Sequence, residues 1–156
     1  MTEQKKPWLN EYEDTVSTEI SPQEYNSILD LLNKSIAKYP NNPAFSNLGK
    51  KITYLELDNL SKKFASYCQN QLKLKKGDKL AIMMPNLLQY PVAIFGALRA
   101  GLIVVNVNPL YTPRELEHQL RDSGAKAILI FENSAHVLSA VIENTEIEHV
   151  IVTKIG

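Results

Sequence analysis

Residues 84–127 read MPNLLQYPVAIFGALRAGLIVVNVNPLYTPRELEHQLRDSGAKA, and their pattern decides the fold. Two apolar runs, residues 102–107 and 127–131, each follow a helical stretch that closes on a glycine, Gly101 or Gly124. Glycine suits the left-handed conformation that ends many helices. Between the runs, Thr112-Pro113-Arg114-Glu115 is a capping box: the hydroxyl caps a helix and the Glu three residues on reaches back to it. Pro113 falls at the first helical position, where its missing N–H does no harm. Leu116, Gln119 and Leu120 follow at helical spacing. The stretch therefore reads as strand, helix, strand, Asn-Pro loop and capped helix.

Working outward, Thr53-Tyr54-Leu55-Glu56 opens a second helix that sets Leu57, Leu60, Phe64, Tyr67 and Cys68 on one face. Ser21-Pro22-Gln23-Glu24 has the same form and predicts a first helix from Pro22, followed by Ile28, Leu31, Leu32, Ser35, Ile36 and Tyr39 at helical spacing. Residues 44–47 and 51–53 flank Gly49 and predict a small hairpin. Residues 79–84 follow the Gly77-Asp78 turn, and residues 150–153 complete the strands. Strands apolar throughout, separated by helices, are expected to be parallel and covered on both faces. The expected fold is α/β, the first part of a doubly wound, mainly parallel sheet behind a small N-terminal hairpin. Residues 1–20 hold few large apolar groups, Trp8, Leu9 and Tyr12 foremost, with no helical or strand period, and they read as an irregular arm; residues 21–156 read as one subdomain.

Composition narrows the function. A chain of 156 residues is long enough for one core, and 44% hydrophobic with 22% charged residues is ordinarily globular. Lys+Arg 17 against Asp+Glu 17 leaves no basic excess for neutralising phosphates, which argues against nucleic acid as a partner. The lone Cys68 has no internal disulfide partner and reads as a small apolar filler on a helix, in keeping with a reducing cytoplasm. The first 20 residues have no apolar core of a secretory signal, and no run approaches the roughly 20 apolar residues of a membrane span.

Motifs for cofactor chemistry are sparse. The six glycines form no dinucleotide fingerprint. Gly96 and Gly101 have phosphate-loop spacing, but Leu102-Ile103 stands where Lys and Ser or Thr belong. Gly101 is then a helix cap, and Gly96 is expected to let a helix pack closely on the sheet. His118, His136 and His149 lie on three different elements without metal-ligand spacing, and no nucleophile elbow is present. Lys73-Leu74-Lys75-Lys76 reads as a solvated helix end, with contact to anionic lipid as the other reading. Asn106-Val107-Asn108-Pro109-Leu110-Tyr111 leaves the C-terminal end of a strand and enters a helix, the edge where open α/β sheets bind ligands. It is either a ligand loop or a connection held by its own Asn side chains.

These residues resemble those of the AMP-forming acyl-CoA synthetases, most closely the bacterial long-chain fatty-acid–CoA ligases. Ile52-Thr53-Tyr54-Leu55-Glu56-Leu57 matches an early segment of the family, and Leu98-Arg99-Ala100-Gly101 with its following strand matches a second. The Asn-Pro loop running into Tyr111-Thr112-Pro113-Arg114-Glu115-Leu116 resembles the fatty-acyl branch, as does Trp8-Leu9-Asn10 with Tyr12. The family's Ser/Thr/Gly-rich phosphate loop ending in Lys-Gly is absent from the sequence, as are its Tyr-Gly-x-Thr-Glu and Thr-Gly-Asp segments and its C-terminal Lys.

The resemblance implies part of an enzyme that joins a long-chain fatty acid to CoA through an acyl-adenylate, using ATP and Mg²⁺. The chain is expected to be an incomplete subdomain of that enzyme, inactive alone and holding none of ATP, CoA or Mg²⁺ tightly, with catalytic and metal residues elsewhere. A non-catalytic homologue acting as a binding module is the alternative. In some relatives the residue after Asn-Pro is basic and touches a CoA phosphate. Leu110 holds that position here, so the resemblance points to Arg114 as the nearest basic substitute and to Tyr111 as a stacking surface for adenine. It further implies a cytoplasmic protein, with peripheral attachment to the inner face of the membrane and a homodimer both left open.

Overall fold

The computed structural model describes residues 6–20 and 24–155. Strands β3 (Lys79–Met83), β4 (Ile103–Val107), β5 (Ala127–Phe131) and β6 (His149–Thr153) form a sheet in the order β4-β3-β5-β6, parallel at every pairing. Helices α2 (Tyr54–Asn70) and α3 (Gln89–Arg99) cover one face, while α4 (Pro113–Ser123) and α5 (Ala135–Ser139) cover the other. Strand β3 shows why its run is apolar throughout. Leu80 and Ile82 enter the core under α2 and α3, and Ala81 and Met83 enter the core under α4 and α5. Full burial of Leu80, Ile82 and Met83 contributes about 1.5–3 kcal/mol each. The expected doubly wound α/β sheet is what the chain adopts.

Helix α1 (Ile28–Lys38) packs against α2 and α3, with Leu32 as its buried residue. Ahead of α2 lies the expected hairpin, β1 (Pro43–Asn47) and β2 (Lys50–Thr53), paired antiparallel. Its turn residues Leu48 and Gly49 both have positive φ, 47° and 79°, as in the tight turns whose twist suits a hairpin. Glycine takes this conformation freely, but leucine pays for the approach of its Cβ to the following carbonyl. Leu48→Asn should therefore stabilise the isolated chain by about 1 kcal/mol, since Asn tolerates the left-handed region. Urea unfolding would show it, and a lower midpoint would contradict it.

The glycines after α3 and α4 behave as expected, Gly101 at φ 77° and Gly124 at φ 61°. The capping boxes at Thr53 and Thr112 both form in full. Other expectations are corrected. Helix α1 begins at Ile28, where the Ser27 hydroxyl accepts the N–H of Asp30. The Ser21–Gln23 part of the earlier capping box lies outside the described residues, and Glu24 to Ser27 are not helical.

The inward face of α2 is Leu57, Asp58, Ser61, Ala65 and Cys68, whereas Leu60 and Tyr67 are exposed. Two polar residues were missed because an apolar count rejects them. They are buried because Arg99 of α3 reaches them: its Nη2 lies 2.8 Å from Asp58 Oδ1, and its Nε donates to Ser61 Oγ at 3.1 Å. Gly96 brings α3 close to α2, not to the sheet, for a Cβ there would meet Phe64 and the Ser61 carbonyl. The Lys73–Lys76 run is a loop beyond α2, not a helix end. Lys73 has φ 56°, and Leu74 is drawn into the core. In the N-terminal arm, Pro7–Glu11 forms a short 3-10 turn.

Candidate functional site

All four parallel strands point their C-terminal ends the same way, so the loops after β3, β4 and β5 share one edge of the sheet. The connection from β3 leads by α3 to one side and that from β5 leads by α5 to the other. Adjacent strands whose connections diverge leave a crevice at their C-terminal ends, the usual ligand position in open α/β sheets. The segments there are the loops 84–88 after β3 and 108–112 after β4, and the 3-10 turn Glu132–Ser134 after β5.

The Asn-Pro loop is rigidly held. Asn108 Oδ1 accepts the N–H of Leu110 at 3.0 Å, and the Asn108 carbonyl accepts the N–H of Tyr111 at 3.1 Å. Short Asn side chains make this turn because they imitate a backbone carbonyl. From the β5 loop the buried Ser134 hydroxyl donates to the Pro109 carbonyl at 3.2 Å. From α3 the Tyr90 hydroxyl meets Asn106 Oδ1 at 2.8 Å, and from α4 Gln119 Nε2 donates to the Asn106 carbonyl at 2.9 Å. The segments after β4 and β5 are thus tied to each other, and the end of β4 is tied to α3 and α4. The tip of the turn, Leu110, is 87% exposed.

Of the residues anticipated for CoA, Tyr111 is half-buried and packs against the core under α4 and α5. That burial leaves less of its ring for stacking than the sequence suggested. Arg114 is exposed in the first turn of α4 and has no ion pair or hydrogen-bond partner among the described residues. It borders shallow surface depressions with Thr112, Glu115 and His118 on one side and Glu117, His118 and Arg121 on the other. Glu115 is occupied by the cap. Its hydrogen bonds with the Thr112 hydroxyl and N–H hold its carboxyl below the usual carboxylate range. The two anticipated residues therefore share a loop and a helix start, but each is directed by different surroundings.

Sequence reasoning missed an apolar concavity. A cavity of about 350 Å³ lies between β1 and the start of α3, bounded by Phe45, Leu87, Tyr90, Pro91, Ile94 and Phe95. Its rim is fastened by Asn47 Nδ2 donating to the Asn86 carbonyl at 2.8 Å. These residues are separated by about 40 positions, and no local period links them. Cys68 is buried beneath α2, and burial pushes its thiol up to about 11, so it is inert at neutral pH. Among the described residues no three His, Cys, Asp or Glu side chains converge as a metal site. No helix there is long and apolar enough to cross a membrane.

Comparison with known proteins fits this architecture. A long-chain-fatty-acid–CoA ligase of Escherichia coli O6:H1 is 59% identical over 152 residues, 97% of this chain and 27% of that protein. The Bacillus subtilis long-chain-fatty-acid–CoA ligase is 39% identical over 128 residues, 82% of this chain and 22% of that protein. Among solved structures, an anthranilate CoA ligase in complex with anthranoyl-AMP shares the fold at a TM-score of 0.78 and 21% identity, covering 83% of this chain and 25% of that one. A long-chain-fatty-acid-CoA ligase from Archaeoglobus fulgidus aligns at 0.73 with 26% identity, covering 80% and 26%. The chain spans about a quarter of the length of these relatives. The AMP-binding enzyme model matches residues 32–155, from the buried Leu32 of α1 to the end of the sheet, and by that match the chain belongs to the AMP-binding enzymes.

Proposed function

We propose that this chain is part of an enzyme that activates long-chain fatty acids. The carboxylate attacks the α-phosphorus of ATP and releases pyrophosphate, and the thiol of CoA then displaces AMP from the acyl-adenylate. The observation that carries this reading is the 59% identity to a long-chain-fatty-acid–CoA ligase over 97% of the chain. These residues themselves do not fit the nucleotide half-reaction. The sequence has no glycine-rich phosphate loop with a Lys, and the described residues hold no acidic cluster for Mg²⁺. We therefore assign ATP, Mg²⁺ and the bond-making residues to the rest of such an enzyme, and give this chain a supporting part at the sheet edge.

That part is contact with CoA. Arg114 offers a guanidinium, without a partner among the described residues, in the first turn of α4, where phosphate suits its charge and the positive end of the helix. Tyr111 supplies the exposed part of its ring beside it. In a full-length enzyme carrying this chain, Arg114→Ala should raise KM for CoA by roughly fivefold, about 1 kcal/mol, and leave fatty-acid-dependent pyrophosphate exchange alone. An equal loss in the exchange reaction would remove Arg114 from CoA. We place the protein in the cytoplasm, with the inner face of the membrane and a homodimer as associations that belong to the same reading.

The alternative is a non-catalytic module of the same family. The two readings separate in one assay. Thioester formation from fatty acid, ATP and CoA by the full-length protein supports the ligase, and its absence in a folded full-length protein supports the module. The 156 residues alone should give no exchange under either reading.

A further inference from the structure

Three concavities run into one another between the hairpin, α1 and the start of α3. The 350 Å³ cavity between β1 and α3 shares Phe45 and Phe95 with a smaller one of about 200 Å³, lined on its far side by Ile28 and Leu31 of α1. It shares Asn47, Leu87 and Leu88 with a groove of about 360 Å³ that Lys50 also lines. The polar groups on the rim of the middle cavity are already engaged. The Asn47 amide donates to the Asn86 carbonyl, and the Tyr90 hydroxyl donates to Asn106 Oδ1. What remains is the carbon of Phe45, Leu87, Ile94 and Phe95. A ligand gains by entering such a space through its own apolar surface.

The mouth has the opposite character. Lys50 faces Asn47 across the hairpin turn, is exposed, and has no ion pair among the described residues. Residues 43–53, 84–95 and 149–155, which supply the cavity and the groove, contain Lys50, Lys51, Lys154 and His149 and no Asp or Glu. An anionic group there is attracted by lysine and repelled by none of these segments. We propose that the cavity and the groove together bind one long-chain carboxylate, with the alkyl chain between β1 and α3 and the carboxylate at Lys50. The single ammonium lining the groove matches the single charge of a carboxylate, whereas an alkyl phosphate carries nearly two. The space beyond Phe45 and Phe95 takes the end of a longer chain. The proposed function gives this chain contact with CoA alone. The lipid site adds to it through residues other than Arg114 and Tyr111, needs neither ATP nor CoA, and does not rest on the ligase reading.

The test titrates the 156-residue chain with dodecanoate below its micelle concentration, followed by calorimetry and by NMR of labelled side chains. One dodecanoate should bind per chain. It should move the signals of Phe45, Leu87, Ile94 and Phe95 before those of exposed apolar residues elsewhere, such as Trp8 and Val152. Octanoate should bind at least about thirtyfold more weakly, since each buried methylene is worth roughly a factor of four. Ile94→Trp fills the cavity and should weaken dodecanoate at least about tenfold. Lys50→Gln should weaken dodecanoate about threefold, as an exposed ion pair allows, and leave dodecanol unchanged.

Failure to saturate, or shifts spread evenly over the exposed apolar residues, would overturn the site as adsorption to the surface. Unchanged affinity in a folded Ile94→Trp chain would overturn it too. A dodecanoate with a diazirine at the end of its alkyl chain supplies a second measurement on the wild-type chain, independent of whether that variant folds. Peptides holding Phe45 or Ile94 and Phe95 should be labelled, and labelling confined to other peptides would refute the placement. An affinity that falls as the protein concentration rises would assign the cavity to a second copy. Tighter binding of dodecyl phosphate than of dodecanoate would assign the mouth to phosphate. Either result overturns the proposal. Ligase activity is read separately on a full-length protein. An active enzyme whose 156-residue chain binds no dodecanoate sinks this site alone, and a folded, inactive one whose chain binds it supports the site while counting against the ligase reading.

Discussion

Asp58→Ala is expected to cost about 3–5 kcal/mol of stability, a large share of the 5–15 kcal/mol typical of a domain. The Asp58 side chain is 11% exposed and that of Arg99 14%. The two carboxylate oxygens of Asp58 are divided between donors, Oδ1 accepting from Arg99 Nη2 at 2.8 Å and Oδ2 from Lys62 Nζ at 2.6 Å. Alanine would leave the guanidinium with only the Ser61 hydroxyl and, at 3.4 Å, Asn33 Oδ1, neither of which carries charge. The large cost is that of an unpaired charge held away from water, not the net worth of the pair. The double variant Asp58→Leu with Arg99→Met should therefore recover most of the loss, since desolvation of both ions disappears with them. Urea midpoints of the wild type, the single and the double variants measure both effects. A single-variant cost below about 1 kcal/mol would show that water reaches the pair freely.

Gly96→Val has the second large effect. A Cβ on Gly96 would lie 2.7 Å from Phe64 Cδ1 and 2.9 Å from the Ser61 carbonyl oxygen. The phenyl ring can turn aside, but the carbonyl belongs to the backbone of α2 and moves only with the helix. We expect a loss of about 3 kcal/mol, at the upper end for overpacking. Gly96→Ala should lose less, because alanine recovers about 1 kcal/mol of helix propensity. Adding Phe64→Ala to Gly96→Val should not restore stability, for the carbonyl contact remains and a cavity is added. Full rescue by that second change would mean that the ring alone sets the helix separation. Both variants act on the α2–α3 contact, so combining Asp58→Ala with Gly96→Val should give a total that departs from simple addition.

Local signals along the chain were sufficient for the sheet strands and for the starts of α2 and α4. The boxes at Thr53 and Thr112 were legible because a capping box needs only residues three apart, and the structure forms both. Gly101 and Gly124 were legible because a left-handed residue closing a helix is a demand on one backbone position. The uniformly apolar runs of β3 and β5 announced strands covered on both faces, since no alternation survives when both faces are dry. The first helix went wrong at its start because two hydroxyl residues, Ser21 and Ser27, compete in sequence for the cap. The choice of Ser27 accompanies the packing of Leu32 against its neighbours.

What only the tertiary structure decided lies between elements far apart in sequence. Asp58 and Ser61 look like exposed helix residues until Arg99, about 40 positions later, is brought against them. Gly96 has no distinguishing neighbour in sequence, and its role appears only when α2 crosses it. The family resemblance and the Asn-Pro loop could be read residue by residue, whereas the cavity beside Phe45 and Phe95, the ties from Tyr90 and Ser134, and the strained exposure of Leu48 could not. The caps at Thr53 and Thr112 span three residues and are written locally, so sequence alone determined them. Burial of charge, close approach of helices and uncovered apolar surface are properties of how distant segments meet, and the sheet order β4-β3-β5-β6 is what made them meet.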